Sequence, residues 1–346
     1  MSQDTAIFKS QPLGPLWPTM DPFLFCAHHD DAYPAGDGRM GVQAVEFEGR
    51  QMGSDFSGRN GFSMYHGDSV PGFPGHPHRG FETVTLVRKG LIDHSDSLGA
   101  AARFGGGDVQ WLTAGKGIQH SEMFPLLNRE AANPLELFQI WLNLPARSKM
   151  VEPHFTMFWN ERIPRLEHRD GHGRKTDVTV VAGALPGARP LAPPPESWAS
   201  QAEADVAIWT LRLEPGARWS LPRAVGEGTQ RMLYFFVGQE LHIGPTAQRQ
   251  HAALHVDASR DWELHNSGHD AVECLVLQGR PIGESVVQYG PFVMNTQQEI
   301  MQALQDYRRT QFGGWPWAEQ DPVHGPEDRR FARYPGATAD ELPQPA

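Results

Sequence analysis

The stretches GHPHRGFETVTLVRKG (75–90) and DVQWLTAGKGIQHSEM (108–123) decide how this chain folds. In each, a short run rich in β-branched and aromatic residues sits beside a Gly-rich turn, which is the pattern of antiparallel β structure. Along a strand, residues i and i+2 point to the same face. His76 and His78 therefore share a face, and His120 and Glu122 share one with Ile118. If both strands line one barrel, three imidazoles and a carboxylate converge. Such a set suits a first-row divalent metal. With 16 histidines in the chain, an H-x-H or an H-x-E alone is a weak signal. Context strengthens it, because both pairs follow Gly-rich turns and both open strands. Four protein ligands on an octahedral ion leave two positions for water, substrate or dioxygen, the arrangement of an open catalytic site.

The same strand–turn pattern extends outward. It runs from about Asp21 through LELFQIWLNLP (135–145), and resumes near Val206 with IWTLRLEPGARW (208–219), MLYFFVGQELHIG (232–244) and AVECLVLQGRPIG (271–283). Two β units in tandem predict an all-β protein of barrels or sandwiches. The expected division is a metal-binding domain over 20–145, a connecting segment over 146–200, a second domain over 201–312 and a Pro-rich tail over 313–346. The tail shows no periodicity and is expected to drape over the surface or fray. One helix is legible: Thr296 and Glu299 form a capping box, and Ile300, Leu304 and Tyr307 recur on one face, which should pack on a barrel.

Composition narrows the function. Lys and Arg number 30 against 41 Asp and Glu, a net charge of −11. That balance argues against a nucleic-acid surface, which needs clustered cations. Cys26 and Cys274 are too few for a disulfide framework and read as reduced thiols. No apolar run approaches the ~18 residues of a membrane span, and the N-terminus lacks a basic-then-apolar leader, so a cytoplasmic protein is expected. His242, His251, His255, His265 and His269 form neither H-x-H nor H-x-E, so no second metal site is expected. His28-His29-Asp30-Asp31 cannot turn four neighbouring side chains to one ion and reads as a polar loop near the barrel mouth.

The two opening stretches resemble the signature strings of the pirin family, within the cupin superfamily. DPFL (21–24), HSDSLG (94–99), IWLNLP (140–145), KMVEP (149–153) and GPFVMNTQQEI (290–300) are similar to it as well. The resemblance implies a bicupin of two antiparallel jelly-roll barrels, with one metal ion, iron(II), in the N-terminal one. Carried over by position, the pirin ligands fall on His76, His78, His120 and Glu122. A general cupin pattern, H-x-H-x₃-E, would select Glu82 instead. The resemblance favours Glu122 and leaves Glu82 as a group behind the ligands, with Arg79 placed to pair with it. The family implies two functions. One is an oxygenase that cleaves a flavonol-like or other chelating substrate with dioxygen, as quercetin 2,3-dioxygenase does, with Glu122 taking the hydroxyl proton. The other is a metal- or redox-sensing partner of a transcription regulator, acting through a second protein because no DNA-binding motif is present. The segment EGRQMGSDFSGRNGFSMYHGDSVPG (48–72) makes the approach to His76 longer than expected for the family. It should build part of the pocket rim, with Tyr65 and His66 near the mouth.

Overall fold

The computed structural model describes residues 5–344. Its regular structure is antiparallel β-sheet, with one α-helix, Gln297–Thr310, among the described residues. The chain divides into two compact units.

One unit takes His28–Glu161 together with the chain from Glu284 on. It holds two five-stranded sheets. The first orders His154–Phe158, Val109–Thr113, Phe81–Lys89, Asn133–Asn143 and Phe23–Tyr33, the last belonging to this unit from His28 on. The second orders Phe331–Arg333, Ala101–Gly105, Leu91–Asp96, Ile118–Met123 and Gly72–His78. Alternate residues of both sheets meet in one core: Val87, Leu112 and Leu137 from the first, Ile92, Phe104 and Ile118 from the second. Two sheets sharing an apolar interior make the jelly-roll barrel.

The other unit takes the chain up to Ala27 and Arg162–Gly283. A seven-stranded sheet begins with Ile7–Pro12 at one edge and ends with Lys175–Ala182 and Arg165–Arg169 at the other. Together with a four-stranded sheet it encloses Trp209, Leu211, Leu233, Phe235, Leu254 and Leu264. The protein is thus a pair of antiparallel barrels.

The barrels are not consecutive blocks of sequence. Ile7–Pro12 pairs with Ala252–Val256, so the N-terminal strand completes the later barrel. The segment expected to connect the domains carries strands of both, because His154–Phe158 pairs with Val109–Thr113 and Lys175–Ala182 with Ala207–Leu213. The tail is also structured. Phe331–Arg333 adds to the edge of Ala101–Gly105, and the Trp317 indole N–H donates to the Asp96 carbonyl at 2.9 Å. A three-residue strand has no readable period; the sheet edge that receives it decides its conformation. Beneath the tail, Arg103 makes a two-pronged pair with Asp93 at 2.7 and 2.6 Å, both buried, and the His324 backbone N–H donates to the same carboxylate at 2.7 Å. Arg103→Met leaves a buried carboxylate without its cation and is expected to cost about 3–5 kcal/mol. Urea unfolding measures that loss, and limited proteolysis should show earlier cleavage in the tail.

The helix starts as its capping box requires. The Glu299 N–H donates to Thr296 Oγ1 at 3.2 Å, and Glu299 Oε2 accepts from the Thr296 N–H at 2.8 Å. Its buried anchors are Ile300 and Ala303, whereas Leu304 and Tyr307 are half-buried beside Phe292 and Phe312. The Tyr307 hydroxyl donates to Gln119 at 3.0 Å, which ties the helix to the strand carrying His120. Ile300, 2% exposed, should cost roughly 2–5 kcal/mol on truncation to Ala. Thr296→Ala should cost about 1 kcal/mol through the lost cap. A denaturation series on both variants checks the ranking; equal losses would mean that the helix face is not anchored by Ile300.

Candidate metal centre

Strands Gly72–His78 and Ile118–Met123 pair antiparallel, with His76 opposite His120 and His78 opposite Ile118. The turn after His78 depends on glycine: Gly80 has φ +87, and a Cβ there would meet the Val293 carbonyl oxygen at 2.0 Å. Lys149 locks this turn from below. Its buried ammonium donates to the carbonyls of Gly80 and Val293 and to Asn143 Oδ1 at 2.8–3.0 Å, and burial pulls its pKa down to about 8.

The result is a cluster in which the ligating nitrogens of His76, His78 and His120 lie within 4.8 Å of one another. His76 Nδ1 sits 2.8 Å from the Pro74 carbonyl, so that nitrogen carries the proton and Nε2 keeps its lone pair. The His78 ring is oriented toward the Pro291 carbonyl, which could accept from it, and its Nδ1 has no hydrogen-bond partner. Neither nitrogen of His120 has one. Burial holds all three pKa values down, to about 4 for His76 and well below the ordinary value for His78 and His120. Neutral imidazoles are what a metal requires, and a buried nitrogen without a partner costs on the order of 1–3 kcal/mol unless something binds it. The donor set therefore fits a metal ion.

Glu122 stands beside the cluster, its Oε2 4.0 Å from His120 Nε2. Its oxygens accept from Thr85 Oγ1 and Gln139 Nε2, each at 3.0 Å, across the interior from the facing sheet. Burial pushes its pKa up, while nearby His94 and these two hydrogen bonds pull the other way.

The sequence profile of the pirin family matches residues 9–142, and that of the pirin C-terminal cupin domain matches 208–313. The chain belongs to the pirin family. Human pirin is 34% identical to it over 73% of this chain and 81% of its own length. A Pseudomonas aeruginosa protein provisionally named quercetin 2,3-dioxygenase is 35% identical over 68% of this chain and 78% of its own. Among solved structures, a quercetin 2,3-dioxygenase from Acinetobacter baumannii superposes with a TM-score of 0.65 at 26% identity, covering 89% of this chain and 96% of that one.

Within this pirin fold, several residues singled out in the sequence stand elsewhere than expected. Glu82 is fully buried and accepts from Thr113 Oγ1 at 2.7 Å. It lies on the opposite face of its strand from Thr85, which reaches Glu122, so it does not stand behind the imidazoles. The break at Arg79–Gly80 between the two strands resets the alternation that the H-x-H-x₃-E spacing assumes. Arg79 does not pair with Glu82. Its guanidinium meets Asp306 of the helix at 2.9 Å and lies over the Phe312 ring. The segment 28–31 is strand rather than loop. His28 turns to Glu136 at 3.1 Å, whereas His29 and Asp31 share the other face. The later barrel's histidines form no comparable group among the described residues.

His94 escaped the sequence reading except as part of a family string. It lies opposite Glu122 in the sheet, its ring 5.5 Å from that of His120 and stacked on Phe155. Its Nε2 is 3.2 Å from Asp96 Oδ2. The alternation His94-x-Asp96 was the available signal.

Proposed function

We propose that this pirin-family protein is a metal-dependent dioxygenase of the quercetin 2,3-dioxygenase type, with His76, His78, His120 and Glu122 holding one iron(II). The observation that carries the reading is the set of three neutral imidazoles with lone pairs free of protein partners, beside one buried carboxylate. The names of the Pseudomonas and Acinetobacter relatives support the reaction class.

Bound there, iron(II) would supply open coordination positions and the redox chemistry that dioxygen requires. The protein's own residues do the rest. His78 and His120 are buried while His76 is partly exposed, so substrate approaches from the His76 side. A hydroxyl next to a carbonyl, as in a flavonol, presents two oxygens to neighbouring positions. Glu122 accepts the hydroxyl proton; Thr85 and Gln139 hold its carboxylate in place for that transfer. Trp141, 5.4 Å from His78, and Phe81 supply apolar walls that keep water from the site.

The test is anaerobic purification, metal analysis and oxygen uptake on a panel of flavonols. Uptake that disappears with a chelator and returns with iron(II) is expected. Iron-loaded protein that consumes no oxygen with any flavonol would overturn the oxygenase and leave a metal-sensing role.

A further inference from the structure

On the exposed side of the cluster stand three residues that this chemistry does not use. His29 and Asp31 alternate on one strand and project together. Tyr65, from the long segment before His76, meets both. Its hydroxyl donates to Asp31 Oδ2 at 2.7 Å and lies 2.7 Å from His29 Nδ1. A phenol has one proton to give. With that proton directed to Asp31, His29 Nδ1 must supply the hydrogen of the second bond, which leaves the lone pair on Nε2. Asp31 is further held by the Ser63 N–H at 2.9 Å. Burial and the neighbouring His28 push the His29 pKa down to about 4, so the ring is neutral at pH 7. His29 remains partly exposed, and its Nε2 bonds no described residue.

The backbone holds Tyr65 there against its preference. Its φ is +57, the left-handed region that bulky side chains avoid, and paired N–H···O bonds with Asp55 at 2.7 and 2.8 Å pin it. Strain of this kind costs on the order of 1–3 kcal/mol and collects at functional positions. The Tyr65 ring stacks on Phe73 at 5.1 Å. Phe73 in turn lies 6.3 Å from His76 and 6.1 Å from His29. Phe56, 57% exposed, and His66 continue the aromatic surface to solvent.

We propose that Asp31, Tyr65 and His29 form a recognition site for a phenolic hydroxyl remote from the metal-chelating pair, with His29 Nε2 accepting its hydrogen bond and Phe73 packing on the ring between. This rests on the dioxygenase reading and narrows its substrate to an extended, polyhydroxylated aromatic. Asp31 and Tyr65 are positioning residues: they set the tautomer and orientation of His29.

The experiment measures anaerobic binding of three probes to iron-loaded protein: 3-hydroxyflavone and its 4′-hydroxy and 7-hydroxy derivatives. One of the two derivatives should bind about tenfold more tightly than the parent, the worth of one well-placed hydrogen bond. Tyr65→Phe and His29→Gln should each reduce that preference to about twofold or less, with metal content and parent affinity unchanged. Equal binding of all three by the wild type overturns the recognition site while leaving the dioxygenase standing. A preference that survives in either variant overturns the three-residue chain. Failure of the wild type to bind any of them overturns both.

Discussion

His120→Ala is expected to empty the metal centre. His120 is fully buried between His76 and His78, with ring centroids 4.5 and 4.8 Å away, and no other described side chain bonds either of its nitrogens. Truncation removes one neutral donor, and the cavity that remains is walled by groups fixed in the sheet. Loss of a supporting hydrogen bond alone costs ~10–100-fold in metal affinity, so loss of a donor should exceed about 100-fold. Metal analysis after purification, backed by a competition titration against a chelator, reads the effect. His255→Ala, in the other unit against Phe8, should keep its metal. Full metal content in folded His120→Ala would remove this residue from the ligand set.

The second large effect separates two glutamates. Glu122→Gln keeps shape and replaces a charged donor by a weaker neutral one, and should lower metal affinity by more than about tenfold. Glu82→Gln should leave affinity unchanged, because Glu82 faces Thr113 on the far side of its strand. Its expected cost falls on stability, on the order of 1 kcal/mol for a perturbed buried hydrogen bond. Paired metal titrations decide the matter. A larger affinity loss in Glu82→Gln than in Glu122→Gln would restore the general cupin spacing.

Strand parity made much of this centre legible. His76 with His78, and His120 with Glu122, could be paired by counting in twos, since extended backbone alternates its side chains whatever surrounds it. The capping box at Thr296 was equally local, because its partners lie three residues apart. Glu82 shows where counting ends. The turn at Gly80 interrupts the alternation, and its geometry depends on the Val293 carbonyl beside it and on Lys149 beneath it.

What the sequence determined by itself was many of the strands, the faces of those strands, and the residue types able to hold a metal. These follow from backbone geometry and short-range hydrogen bonding, which act over a few residues. What only the tertiary structure decided was which faces meet. Register brings His76 opposite His120, and the facing sheet delivers Thr85 and Gln139 to Glu122. Arg79 finds Asp306 rather than Glu82, His94 comes beside His120, and a tail without periodicity supplies an edge strand. Each of these pairings joins segments far apart in the chain. Their energy comes from burying apolar faces and satisfying polar groups in one shared interior, a property of the assembled sheets and not of any window of sequence.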